Sequence, residues 1–296
     1  MDHDPPPVEP LFDDQARAVA ESHGSASHYR WLATSDDPEA VELRAALAWC
    51  FRHVGPRGAL LRGALQHERW GQHAGALAHL LTIGLLAAQG WRVSVEPEFG
   101  RQSPDVLAVR DGGVRVLIEV RSVTGAGAFP WAERRATGRG LTEDTREALG
   151  ETIAGILQKK AETYRPLVER LAIAYVICLY EDKDTEISAI ARDLLYGRGD
   201  GGPDPGEPRD PAGGAFHDPA SGLGHVSAVI VFGRLDTPGG ELRLKGDLLE
   251  NPAAAVPLAS AARFPLLRRY GLDPSVTPPR MRWLQPPLAP FALGAD

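Results

Sequence analysis

A charged side chain inside an apolar strand pattern constrains the fold of this chain more than any other feature. Two short apolar runs flank the turn sequence Asp111-Gly112-Gly113. A glycine turn between two apolar runs predicts a pair of antiparallel strands. Asp105 opens the first run and Glu119 lies near the end of the second, so the pairing brings one carboxylate from each strand together.

Glu119 interrupts the apolar run of residues 116–120, where an unpaired carboxylate would cost roughly several kcal/mol. It therefore needs a cation, which is either a metal ion or Arg121. Arg121 is two residues away and shares a strand face with Glu119. A guanidinium does not lose its proton in proteins, so Arg121 either neutralises Glu119 or stabilises negative charge on a phosphate. Two converging carboxylates suit a hard divalent cation such as Mg²⁺.

Pro104-Asp105 followed by Glu119-Val120-Arg121 resembles the motif of the PD-(D/E)xK nuclease superfamily. The superfamily pattern ends in lysine, whereas this chain has Arg121. The resemblance implies a restriction-endonuclease-like core that binds Mg²⁺ or Mn²⁺ through Asp105, Glu119 and the Val120 carbonyl. It also implies DNA as the substrate of phosphodiester hydrolysis.

Two further positions follow from the same resemblance. In some members a lysine from the helix after the motif strands replaces the strand lysine, and Lys160 is the matching residue here. The alternative is that Lys159 and Lys160 form an ordinary solvated face. The helix before the strands usually carries a glutamate that faces the metal, and His79 stands at that place, where a neutral imidazole can be a metal ligand. The alternative for His79 is a core histidine bonded to the backbone.

The chain is also similar to a group of uncharacterised actinobacterial proteins with a nuclease-like core. In that group the place of Arg121 is often not lysine. The shared sequences run through much of the chain: Trp49-Cys50-Phe51, Gly90-Trp91, Glu96-Pro97, Pro104-Asp105, Glu119-Val120, Lys159-Lys160-Ala161 with Tyr164, Val226-Ser227-Ala228-Val229 and Asn251-Pro252-Ala253.

The order of predicted elements is helix, three strands, helix, strand, helix, strand, which predicts an α/β fold with a mixed central sheet flanked by helices. An N-terminal tail and helical region is expected at 1–69. The nuclease-like core is expected at 70–235, with a mobile loop at 198–224. A Pro-rich and irregular C-terminal extension is expected at 236–296.

Composition limits the partners. The net charge is −7 and the pI is about 5.7, which argues against a protein that coats nucleic acid with a uniformly basic surface. A local basic groove stays possible, and Arg134, Arg135 and Arg139 follow the motif strands closely. The sequence predicts no membrane segment, and two cysteines in apolar surroundings predict reduced thiols in a cytoplasmic protein. The competing functional hypothesis is a catalytically inactive nuclease-fold module that binds nucleic acid or a protein partner.

Overall fold

A computed structural model of the protein gives the positions of most of the chain. The residues it describes are 10–25, 27–123, 143–181, 187–197, 214–235, 242–258, 262, 264–273, 275, 280–285 and 288–293.

Seven α-helices lie in the described residues. They are α1 (Asp14–Ser22), α2 (His28–Thr34), α3 (Pro38–Phe51), α4 (Gly58–Leu65), α5 (Trp70–Ala87), α6 (Glu143–Leu171) and α7 (Ile187–Tyr196). The first four confirm the helical region predicted before residue 70. Eight strands follow the same chain order: β1 (Arg92–Val95), β2 (Val106–Val109), β3 (Arg115–Ser122), β4 (Ala174–Glu181), β5 (Ala228–Leu235), β6 (Arg243–Glu250), β7 (Arg268–Asp273) and β8 (Arg280–Trp283).

The eight strands form one mixed sheet in which each strand lies beside its neighbour in sequence. β2 is antiparallel to both β1 and β3, and β3, β4 and β5 are parallel. β6 is antiparallel to β5, β7 is parallel to β6, and β8 is antiparallel to β7. The predicted α/β class with a mixed sheet is confirmed.

Alternating residues divide the sheet into two apolar faces. One face, which includes Ile118 and Cys178, packs against α3, α4 and α5. The other face, which includes Leu117 and Ile177, packs against α6 and α7. Since β4 is buried along its whole length, it reads as a continuous apolar run in the sequence.

Local chemistry explains the elements that position the motif. Gly112 and Gly113 both have φ near +80°, a backbone region that side chains disfavour, and they close the β2–β3 turn as predicted. Asp37 caps α3 by accepting a hydrogen bond from the Glu39 amide, with Pro38 in the first turn.

One helix is longer than its sequence pattern predicts. Pro166 is expected to stop α6 after Tyr164, but the helix continues to Leu171 with Pro166 inside it. Proline removes one helical hydrogen bond. Leu167 and Val168, which follow it, are buried against the sheet, and this packing offsets the loss.

The prediction of an irregular C-terminal extension is wrong for three segments, because β6, β7 and β8 lie there and extend the sheet. The prediction fails because prolines and glycines between these strands dominate the local composition. Each strand is stabilised by pairing with a neighbouring strand, which local composition does not reveal. Residues 198–213 of the predicted mobile loop lie outside the described residues, and its remainder contains the 3₁₀ turn Pro219–Ser221. In the described part of the chain, no helix has both the length and the apolar character needed to cross a bilayer.

Candidate functional site

The β2–β3 pair brings Asp105 and Glu119 to the same edge of the sheet. Val106 lies opposite Ile118, so the register places Asp105, one residue before β2, opposite Glu119. Glu119 is two residues after Leu117 in β3, so the two side chains lie on the same face of the sheet. Leu117 faces α6, and Glu119 therefore points toward that helix. The two carboxylates expected to converge from the sequence do so.

Glu119 is fully buried, and only one of its two oxygens has a hydrogen-bond partner in the described part of the chain. Oε1 accepts a short hydrogen bond from Nη2 of Arg121 and lies 2.5 Å from Nζ of Lys160. Oε2 is buried and has no hydrogen-bond partner among the described residues. A buried carboxylate oxygen without a donor is costly, so this atom is where an additional cation or proton would be accommodated.

Asp105 is held by three donors that converge on one of its oxygens. Oδ2 accepts hydrogen bonds from the Val120 amide at 2.7 Å and from Nη1 of Arg121 at 3.2 Å. Nε2 of His79, on α5, lies 3.3 Å from the same oxygen. His79 thus reaches the site from the opposite helical layer, as its position in the motif implies, and orients Asp105.

Arg121 contacts all three groups that the resemblance assigns to a metal ion. Besides Asp105 Oδ2 and Glu119 Oε1, its Nη1 donates to the Val120 carbonyl at 2.6 Å. The Arg121 side chain is 32% exposed, so it lies at the solvent side of the site. The guanidinium therefore lies between the two carboxylates.

The two carboxyl groups have pKa values displaced in opposite directions. Burial, followed by repulsion from Asp105, raises the pKa of Glu119 to about 8, although Arg121 opposes the shift. Burial also acts to raise the pKa of Asp105, but the hydrogen bond and charge of His79, with Arg121 and the Val120 amide, hold it below its ordinary value. These shifts favour the ionised form of Asp105 and the protonated form of Glu119.

Lys160 and Tyr164 complete the site from α6. Of the two adjacent lysines, Lys159 is exposed, whereas Lys160 is partly buried and contacts Glu119. The Lys160 ammonium lies 5.9 Å from the centre of the Tyr164 ring. The Tyr164 hydroxyl donates to the Ser103 carbonyl at 2.9 Å and so ties α6 to the segment before Asp105.

Tyr164 is a site residue that the motif does not reveal. Burial and the nearby Glu119 raise its pKa, so the hydroxyl keeps its proton and remains a donor. The sequence signals are its position four residues after Lys160, which puts both on one helix face, and its place in the shared sequence that contains Lys159 and Lys160.

Other predicted features lie elsewhere or stay untested. Arg134, Arg135 and Arg139 fall outside the described residues. Within the residues that the structure describes, no group of three or more histidine, cysteine or acidic side chains is arranged to hold a metal ion. The oxygen donors of the site, Asp105, Glu119 and the Val120 carbonyl, each accept a hydrogen bond from Arg121.

No family model matches the chain, and no curated protein or solved structure is significantly similar to it.

Proposed function

We propose that this protein is a divalent-metal-dependent, nuclease-like protein that hydrolyses DNA phosphodiesters. The observation that carries the proposal is the meeting of Asp105 and Glu119 across β2 and β3, with Lys160 directed at Glu119 from α6. Two carboxylates beside a basic side chain supply a metal site and a charge that stabilises a phosphorane-like transition state.

The arrangement of the first four strands supports the same proposal. Helix α5 precedes three antiparallel strands, and α6 then connects β3 to the parallel strand β4. This order is the one that the PD-(D/E)xK resemblance implies for a restriction-endonuclease-like core. Two unpaired buried cysteines, Cys50 and Cys178, agree with a cytoplasmic location.

The site fits Mg²⁺ or Mn²⁺ through its donor atoms. Mg²⁺ is commonly bound by one or two carboxylates, with water and substrate phosphates completing its shell. Asp105 and Glu119 would hold it, and Glu119 Oε2 is a buried oxygen that has no other partner among the described residues. When bound, such a cation lowers the pKa of a water molecule and offsets charge on the phosphate.

The residues of the chain itself have separate roles in this proposal. His79 and the Val120 amide fix the orientation of Asp105. Lys160 stabilises negative charge next to Glu119. Arg121, which cannot act as a base, leaves the carboxylates and binds a phosphate oxygen instead.

One observation favours a second candidate, a catalytically inactive module that binds nucleic acid or a protein partner. Arg121 already contacts Asp105, Glu119 and the Val120 carbonyl, so the charges are balanced without a metal ion. In this case the network has a structural role, and binding of Mn²⁺ would be weak.

Plasmid nicking in Mn²⁺ tests the leading proposal. Wild type and Asp111→Ala, a control at an exposed turn carboxylate, are expected to nick supercoiled DNA. Asp105→Ala and Glu119→Ala are expected to lose about 100-fold or more in rate, since metal-dependent charge stabilisation is lost. Equal rates in all four proteins would refute the proposal.

Calorimetry separates the two candidates without relying on cleavage. Binding of Mn²⁺ that depends on Glu119 supports the metal-dependent enzyme. If wild type shows no heat of Mn²⁺ binding and does not nick DNA, the inactive module is supported.

A further inference from the structure

Two hydrogen-bond donors from outside α6 reach the turn of this helix that carries Lys160. The Tyr175 hydroxyl donates to the Lys160 carbonyl at 3.3 Å, and Nε2 of His225 lies 2.6 Å from the Ala161 carbonyl oxygen. A carbonyl oxygen can only accept, so Nε2 of His225 carries the hydrogen of this bond. Two consecutive carbonyls of α6 thus each accept a hydrogen bond from a side chain of another segment.

Pro166 follows this turn closely in the sequence. Proline has no amide hydrogen, so position 166 donates no helical hydrogen bond to the carbonyl of Glu162, four residues earlier. The backbone near Lys160 is therefore held by fewer helical hydrogen bonds than the same turn of an uninterrupted helix would be. Hydrogen bonds from outside the helix consequently contribute more to the position of this turn.

Both donors are anchored beside the central strands β4 and β5. Tyr175 lies in β4, and both its side chain and that of His225 are buried. The Tyr175 amide donates to the Ser227 hydroxyl at 2.9 Å, and the Ser227 amide donates to the Tyr175 carbonyl at 2.7 Å. Ser227 is two residues after His225, so these two bonds tie the segment that carries His225 to β4. The two donors are therefore fixed relative to each other.

The side chains of the same turn reach the candidate active site. Nζ of Lys160 lies 2.5 Å from Oε1 of Glu119. The Tyr164 hydroxyl donates to the carbonyl of Ser103, two residues before Asp105. A catalytic group must be held within about 0.5 Å of its productive position, so displacement of the backbone that carries Lys160 would reduce the rate of a reaction that uses its charge.

We propose that Tyr175 and His225 are positioning residues, which hold this turn of α6 so that the Lys160 ammonium stays at Glu119. The inference rests on the proposed function for the reaction that Lys160 serves. Neither residue belongs to the nuclease-like motif. Because their hydrogen bonds end on main-chain oxygens, they fix the helix and leave the whole Lys160 side chain to interact with Glu119.

Chemical labelling of Lys160 tests this role without relying on cleavage. The protein is acetylated with acetic anhydride in EDTA, and tandem mass spectrometry compares Lys160 with the exposed Lys159, which is the internal reference. Tyr175→Phe removes only the hydroxyl, and His225→Leu removes the ring donor. We expect each variant to raise the labelling of Lys160 relative to Lys159 about fivefold, because loss of one hydrogen bond of ordinary strength lets the ammonium leave Glu119 more often.

Two variants control for a general loss of stability. His225→Gln keeps an N–H donor near the place of Nε2, so its labelling ratio is expected to lie close to that of wild type. Tyr196→Phe removes a bond of the same kind, from a buried tyrosine hydroxyl to the Glu250 carbonyl, elsewhere in the same apolar layer, and is expected to leave the ratio unchanged. Wild-type labelling in Tyr175→Phe, or an equal rise in Tyr196→Phe, would refute the positioning role. Tyr175→Phe is isosteric, so it decides the matter even if His225→Leu does not fold.

Nicking kinetics in Mn²⁺ separate this inference from the proposed function. Tyr175→Phe is expected to lower kcat about fivefold and to leave KM for DNA unchanged, because the affected charge acts in the transition state. If wild type nicks DNA and the variant has the same kcat, the positioning role is refuted and the proposed function stands. If wild type does not nick DNA but Lys160 labelling depends on Tyr175, only the enzymatic proposal is refuted, and Tyr175 still positions Lys160 beside Glu119.

Discussion

At the scale of single residues, Glu119 is an ionisable side chain that is fully buried. Because its pKa is raised to about 8, the folded protein holds a proton that the unfolded chain releases near pH 4.5. Stability in EDTA is therefore expected to fall as pH rises from about 4.5 to 8, and to change little beyond that through this group. Between pH 6 and pH 8.5 the loss should be about 2 kcal/mol.

Urea unfolding of wild type and Glu119→Gln at these two pH values measures the effect. The amide is neutral at both, so the variant should lack this part of the pH dependence. His225, whose pKa is lowered by burial, titrates equally in both proteins and cancels in the comparison. An identical pH dependence in the two proteins would show that Glu119 is already ionised at pH 6.

In the proposed function, Arg121 and the metal ion would bind the same three groups. Removing it frees Asp105, Glu119 and the Val120 carbonyl, so Arg121→Ala is expected to bind Mn²⁺ about tenfold more tightly than wild type. Arg115→Ala is the matched control, because Arg115 lies on the same strand with the same side-chain direction but is exposed. Isothermal titration calorimetry at pH 8 measures both affinities. Unchanged affinity in Arg121→Ala would mean that the guanidinium does not occupy the cation position.

The sequence predicts the members of the site better than it predicts their mutual contacts. Alternation along β3 is sufficient to place Glu119 and Arg121 on one face, and the glycine turn is sufficient to bring Asp105 opposite. That a single guanidinium contacts both carboxylates and the Val120 carbonyl depends on side-chain conformation, which no spacing rule encodes. The hydrogen bond that the Tyr164 hydroxyl donates to the Ser103 carbonyl joins residues far apart in the sequence, so no local spacing rule predicts it either.

At the scale of elements, two glycines of α5 lie in different surroundings. Gly84 lies where α5 meets α3, and a Cβ there would overlap Cys50 Sγ and come within 3.3 Å of the Trp49 ring. Gly75, in the same helix, has open space around the position of a Cβ. We expect Gly84→Ala to destabilise the fold by about 1–3 kcal/mol through overpacking. Gly75→Ala should stabilise it by about 0.5–1 kcal/mol through helix propensity.

Thermal and urea unfolding of both variants against wild type checks the sign of each change. Equal effects from the two substitutions would contradict close packing at Gly84. The sequence identifies α5 as an apolar helix with several glycines, but it does not distinguish the glycine at a contact from the glycine in open space. Pro166 in α6 is a similar case, since the local signal for a helix end is overridden by burial of the residues that follow.

At the scale of the whole molecule, the C-terminal extension belongs to the central sheet. All eight residues of β5 pair with β6, and β7 and β8 continue from that edge. Composition obscures these strands, because the prolines and glycines between them outweigh the short apolar alternation inside them. The core strands β4 and β5 are predicted more readily, because each is a continuous apolar run buried on both faces.

A chain that ends at residue 235 is therefore expected not to fold. It would expose the whole edge of β5, a strand with apolar residues on both faces, and such an edge pairs with other chains. A chain that ends at residue 285 retains all eight strands and loses the two backbone hydrogen bonds between Leu244 and Phe291. We expect the shorter chain to elute as an aggregate in size-exclusion chromatography. The longer one should elute as the full chain does and unfold about 5 °C lower. A well-folded 1–235 fragment would instead show that β6, β7 and β8 are an addition to a complete core, because β5 would then be stable as an edge strand.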